Sequence, residues 1–125
     1  MRKIDADTPF TQHALLIRIV RALAAAFPEH VYTRSFGVGC KYAPDARNPM
    51  GCIFGAALRT LGIEPGELQT IDNVLMARET DDSALDSLIL WMTDVQSAQD
   101  NGTSWGTAVK WADNNALNNG RVVPA

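Results

Sequence analysis

The sequence predicts a mainly α-helical, compact single domain of four to five helices, with a small β-hairpin after the first. Three observations carry this expectation. The 125 residues are 46% hydrophobic and 20% charged, a size and balance that suit one core and exclude a disordered chain. Apolar residues recur at helical spacing in several separate stretches. Short joints rich in proline, glycine and asparagine part those stretches, and no repeat or linker divides the chain, so 1–125 is read as one unit.

The first helix is expected to start at Thr8-Pro9, where the threonine can cap free amides and a proline lacks nothing by having no N–H. Leu16, Ile19, Val20, Leu23 and Phe27 then form its stripe, widened by Leu15, Ile17 and Ala24, and Pro28 ends it. So broad an apolar face predicts a central helix. Val31-Tyr32-Thr33 and Cys40-Lys41-Tyr42 favour strand and flank a glycine-containing loop, which predicts the hairpin. Asn48-Pro49 supplies a second helix start, followed by Ile53, Ala56, Ala57, Leu58 and Leu61, with Gly62 as the left-handed residue after its end. Glycines at 51 and 55 weaken that helix by roughly 1 kcal/mol each relative to alanine, so a close backbone or a ligand at the helix start is expected to compensate.

Glu64-Pro65-Gly66 predicts a turn. Thr80 is expected to cap a long helix with Asp81 and Asp82 in its first turn. Leu85, Leu88, Ile89, Met92 and Val95 form its stripe, Ala84, Trp91 and Ala98 extend it, and Asn101-Gly102 ends it. Ser104 caps the last helix, with Trp105, Ala108, Val109, Ala112 and Ala116 on one face and Trp111 off it. The closing stretch from Asn114 is polar, and residues 1–7 and 118–125 are expected to fray.

Charge divides the chain. Residues 1–62 hold eight basic side chains against four acidic ones, a balance of +4, and residues 63–125 hold three against ten, a balance of −7. The basic residues are dispersed and the isoelectric point is near 5.2, which argues against nucleic acid. No stretch is long and apolar enough to span a membrane and none resembles a secretion signal, so a cytoplasmic protein is expected.

The chemistry-bearing residues form no catalytic constellation. Cys40 and Cys52 lie too far apart in sequence for paired zinc ligands, and no metal or cofactor is expected. Cys52 in a first helical turn, with His13 or His30 as base, would make a nucleophilic pair, but its glycine and isoleucine neighbours read as packing. The glycines at 37 and 39 lack the rest of a phosphate-binding fingerprint. An anionic ligand at the helix start Pro49–Gly55, held by Arg34, Lys41, Arg47, Gly51, Cys52 and Arg59, is the alternative to a protein contact. Gln96 and Asp100, four apart on one helix face, meet Trp105 at the final joint. They either fix the angle of two helices or form a polar pocket rimmed by Trp105 and Trp111.

The run Asn48-Pro49-Met50-Gly51-Cys52-Ile53-Phe54-Gly55-Ala56-Ala57-Leu58, preceded by Val31-Tyr32 and Cys40-Lys41-Tyr42, is followed by Leu61-Gly62-Ile63. Val95-Gln96-Ser97-Ala98-Gln99-Asp100-Asn101-Gly102-Thr103-Ser104-Trp105-Gly106-Thr107-Ala108-Val109 comes later. In this order, over residues 30–113, these resemble a group of small proteins of actinobacteria and their bacteriophages with no established activity. The resemblance implies an accessory protein in a bacterial host cell and supplies no catalytic residue. The function expected is therefore non-enzymatic interaction with a host protein or with itself, including homo-oligomers. Trp91, Gln96, Asp100, Trp105 and Trp111 are the expected contact surface.

Overall fold

The structure, a computed structural model, describes residues 2–3, 10–33, 44–64, 75 and 83–125. Among them four helices have defined bounds: α1 (His13–Ala26), α2 (Ile53–Thr60), α3 (Ser83–Asp100) and α4 (Trp105–Asn118). Two-residue strands β1 (Arg2–Lys3) and β2 (Ile63–Glu64) pair in parallel, Arg2 opposite Ile63 and Lys3 opposite Glu64. The molecule is mainly helical, as expected.

The helix boundaries follow backbone chemistry more closely than the sequence reading did. α1 starts at His13 with Gln12 at its cap, later than the expected start at Thr8-Pro9, which lies outside the described residues. Its buried face is His13, Leu16, Ile17, Val20 and Ala24. Leu15 and Phe27, both assigned to the core stripe, are more than 40% exposed, so the stripe is rotated toward Ile17 and Ala24. Phe27 closes the helix through its N–H to the Leu23 carbonyl at 2.8 Å, and Pro28 stops propagation.

α2 also starts later than expected. Asp45 folds the preceding loop by accepting the N–H groups of Arg47 and Asn48 at 2.9 and 2.8 Å. Asn48 is then drawn inward: its side chain exchanges two hydrogen bonds with the backbone of Thr33, at 2.7 and 2.8 Å. It therefore splices the loop after α1 to the loop before α2 instead of capping a helix. Gly51 has φ +70°, a conformation open to glycine at little cost, and the helix begins only at Cys52. Residues 51–58 are all buried. α2 is thus enclosed over most of its length, and it packs on α1. α1 in turn packs on each of the other three helices.

The expected hairpin is not found where it can be judged. Val31–Thr33 carry no strand ladder, and 34–43 lie outside the described residues. So do Thr80, Asp81 and Asp82 at the expected start of the long helix, and most of 65–82. Leu75 is described there and is buried.

α3 and α4 form an antiparallel pair joined by a four-residue turn. Gly102 (φ +88°) donates to the Gln99 carbonyl at 3.0 Å and Thr103 to Ala98 at 3.1 Å, the paired closure of a helix end around a left-handed glycine. Gly120 (φ +68°) repeats it, with bonds to Leu117 at 3.2 Å and from Arg121 to Ala116 at 2.9 Å. This second closure falls within 118–125, the closing segment expected to fray. The tail turns back, Pro124 is buried, and its carbonyl accepts from Arg21. Arg2 and Lys3, within the other segment expected to fray, pair with β2. Trp105, Ala108, Val109, Ala112 and Ala116 are buried together on α4, as the spacing predicts.

Candidate functional site

The joint between α3 and α4 is where sequence and structure converge. Gln99, in the last turn of α3, is fully buried. Its Oε1 accepts the Ile53 N–H at 2.7 Å and the Trp105 indole N–H at 3.2 Å, while its Nε2 donates to Asp100 at 3.0 Å. One carboxamide therefore ties the start of α2, the start of α4 and the end of α3. Trp105 also stacks edge-on against His30, ring centres 4.4 Å apart. The loop after α1 completes the corner: the His30 carbonyl accepts Trp105 N–H at 2.8 Å, and the Pro28 carbonyl accepts Gly106 N–H at 3.0 Å. Ser104, the expected cap, makes no side-chain bond to the helix backbone; its hydroxyl donates to the Thr107 hydroxyl. Backbone carbonyls from a distant loop do the capping.

On the outer side of this corner lies a hollow of about 300 Å³ lined by Ser97, Ala98, Asn101, Thr103, Thr107 and Trp111. None of the six is charged. Trp111 is 47% exposed, and its indole N–H has no protein acceptor among the described residues. The other two tryptophans correct the expected contact surface. Trp105 is the buried keystone just described. Trp91 is fully buried, donates to Asp113 Oδ1 at 2.8 Å and lies under the Arg21 guanidinium at 4.9 Å. Gln96 is buried too, 9% exposed, and neither polar atom of its carboxamide has a hydrogen-bond partner among the described residues. Asp100 is half-buried beside Gln99. Of the expected surface, Trp111 is the open residue.

A second hollow of about 300 Å³ lies between α1 and α4, lined by Arg21, Glu29, Gly106, Thr107 and Lys110 among others. Of its charged side chains, Arg21 is committed internally. Arg21 holds Asp113 through two bonds, 3.0 and 2.7 Å, and also reaches Pro124. Burial raises the Asp113 carboxyl, but the Arg21 and Trp91 hydrogen bonds and the Arg21 charge outweigh it and hold the group below the usual carboxylate range.

The anion site expected at Pro49–Gly55 is closed from within. Ile53 N–H is taken by Gln99, and Gly55 N–H is taken by Cys52 Sγ at 3.4 Å. Gly51 is buried, Arg47 is exposed, and Arg59 donates to the Met50 carbonyl. Arg34, Lys41 and Cys40 lie outside the described residues. Cys52 is wholly buried as the helix cap, a packing role and not the exposed, electropositive setting of a reactive thiol. His13 Nε2 lies 3.0 Å from the Leu75 carbonyl, and burial lowers its pKa more than that bond raises it, so it sits neutral. Among the described residues no cluster of His, Cys, Asp or Glu is placed to hold a metal ion, and no helix is long and apolar enough to cross a membrane.

The sequence signal for the hollow was the Gln96–Trp111 stretch itself; what it could not give was which tryptophan faces out. No family model matches the chain, and neither a curated protein nor a solved structure matches it.

Proposed function

We propose that this protein is a non-enzymatic interaction module of a bacterial or phage-infected cytoplasm, and that it meets its partner, a host protein or a second copy, through the Trp111 corner. The observation that carries the reading is an indole left half open over an uncharged hollow beside the joint that the Gln99–Trp105 network fastens. Leaving an aromatic ring wet forgoes burial that would otherwise stabilise the fold by about 1.5–3 kcal/mol, and exposed aromatics on a rigid base are the anchors of protein contacts. A preformed hollow also lowers the ordering cost of association. The resemblance over residues 30–113 supports the cellular setting, and the internal filling of the Pro49–Gly55 helix start counts against the anionic-ligand alternative.

The test is site-specific photocrosslinking in actinobacterial cells, with benzoylphenylalanine in place of Trp111 and, as control, in place of exposed Ala22 on α1. A discrete adduct at Trp111 that is missing at Ala22 is the expected result. Its mass separates a second copy from a host protein. Equal or absent labelling at the two sites would overturn the reading.

A further inference from the structure

We infer that Asn119 is a self-acting modification site: its carboxamide closes on the Gly120 nitrogen and deamidates, and the carboxylate so formed loosens the tail. The glycine backbone nitrogen attacks the asparagine Cγ. A C–N bond forms, the Cγ–Nδ2 bond breaks, and ammonia leaves with the amide proton. Water then opens the succinimide to aspartate or isoaspartate, so an amide is exchanged for an acid and a negative charge is gained. Glycine is the favoured neighbour for this step because no Cβ obstructs the approach.

The chain holds two such pairs, Asn101-Gly102 and Asn119-Gly120, and the structure sets both in the same frame. Each asparagine is exposed and precedes a glycine of positive φ. Each carboxamide folds back on the carbonyl four residues earlier, Asn101 Nδ2 to Ser97 at 2.8 Å and Asn119 Nδ2 to Asn115 at 2.7 Å. Each glycine N–H is taken as well, Gly102 by Gln99 at 3.0 Å and Gly120 by Leu117 at 3.2 Å. Those bonds must break before nitrogen and Cγ can meet, so either pair reacts only when its helix end opens.

The cost of opening separates them. Three residues after Gly102 the chain enters the core: Trp105 is fully buried, and its backbone and indole N–H groups are held by His30 and Gln99. After Gly120, Arg121 and Val123 are only half-buried and Val122 is 77% exposed. The side-chain anchor before Pro124 is the ion pair of Arg121 with Asp94, at 3.7 Å, a long contact of modest worth. Asn119 is therefore the pair that opens and reacts.

Its product acts on the same anchor. Asn119 Nδ2 also donates to Asn115 Oδ1 at 3.1 Å, Asn115 Nδ2 donates to Asp94 Oδ2 at 2.8 Å, and Arg121 pairs with that same oxygen. A carboxylate at 119 sets acceptor against acceptor at Asn115 and lies at the negative end of the α4 dipole. It also offers Arg121 a second anion in competition with Asp94.

Peptide mapping by mass spectrometry follows both pairs while the folded protein ages in mildly alkaline buffer, beside a sample held in urea. Asn119 is expected to convert about tenfold faster than Asn101 when folded, the ratio that about 1.4 kcal/mol of extra opening cost gives. In urea the two should convert at comparable rates. Folded Asn119→Asp should be cut by trypsin after Arg121 faster than the parent protein and faster than Asn119→Gln, which carries no charge. Equal conversion of the two pairs in the folded protein, or an intact Asn119 after the urea sample has converted, would overturn the inference. Parent-like cutting of folded Asn119→Asp would overturn the release of the tail.

Discussion

Gln96 and Gln99 lie one turn apart on α3, both enclosed, and differ in whether their carboxamides are used. Gln99 serves two buried donors, Ile53 N–H and Trp105 Nε1–H. Truncating it by Gln99→Ala leaves both unpaired in the interior, each at a cost of about 1–3 kcal/mol, and opens a void. The expected loss in urea denaturation is about 3–5 kcal/mol, with Trp105 emission moving to longer wavelength as the corner loosens. A loss below about 1 kcal/mol would mean that neither bond matters. Gln96 should behave oppositely. Its carboxamide is buried with no partner, so Gln96→Met, which keeps the volume and removes the unsatisfied groups, is expected to stabilise the fold by about 1 kcal/mol. Destabilisation on the same scale would point to a bound water at that carboxamide. Nothing in the spacing of the two residues distinguishes them, because the partner of Gln99 on α2 lies 46 residues away in sequence. The sequence places both at the joint, and only the fold assigns their partners.

At the scale of elements, α4 is the helix best read in advance and the one with the least expected start. Its buried face follows from 3.6-residue periodicity alone. Its first two amides, however, are capped by Pro28 and His30 carbonyls, and Gly106 is small because a Cβ there would lie 2.9 Å from Pro28 Cβ and 3.0 Å from its carbonyl oxygen. Alanine is the better helix former by about 1 kcal/mol, yet the proline ring and backbone are stiff and cannot recede. Gly106→Ala is therefore expected to destabilise by about 1–3 kcal/mol, with faster amide exchange at Gly106 as its bond to Pro28 breaks. A gain in melting temperature would show that propensity prevails and that the α1–α4 contact yields. The same comparison explains which boundaries were legible. Gly62 and Gly102 announced their helix ends because a left-handed residue is a local requirement. Gly120 carried the same signal, but a polar, amide-rich setting read as fraying. Asn48-Pro49 misled as a helix start because Asn48 is recruited by Thr33, 15 residues back. Trp91 misled because an aromatic at the margin of a helical stripe looks exposed until Asp113 and Arg21 arrive from other elements to enclose it.

Across the whole molecule, two long-range polar fastenings set how stability responds to acid. Arg21 on α1, Trp91 on α3, Asp113 on α4 and the Pro124 carbonyl form one cluster that closes three helices and the tail on one another. His13, buried at the start of α1, bonds the Leu75 carbonyl from the stretch between α2 and α3. Their pH windows differ. His13 has a folded pKa below the ordinary value of 6.5, so above about 6.5 both states are neutral and pH has no effect through it. As pH falls below that value the unfolded chain takes up a proton that the folded chain refuses, and stability declines until the folded group also titrates. Asp113 has a depressed folded pKa. Its contribution is complete above the unfolded carboxylate value of about 3.9 and is lost as pH falls further through the folded value. The expected profile of unfolding free energy against pH is thus a first decline starting near 6.5 and a second below about 4. His13→Gln, which retains a donor for the Leu75 carbonyl, should flatten the first without altering the second. Asp113→Asn should lower the plateau by about 1–3 kcal/mol through loss of the paired Arg21 and weaken the second decline. A first decline unchanged in His13→Gln would show that His13 does not set that window.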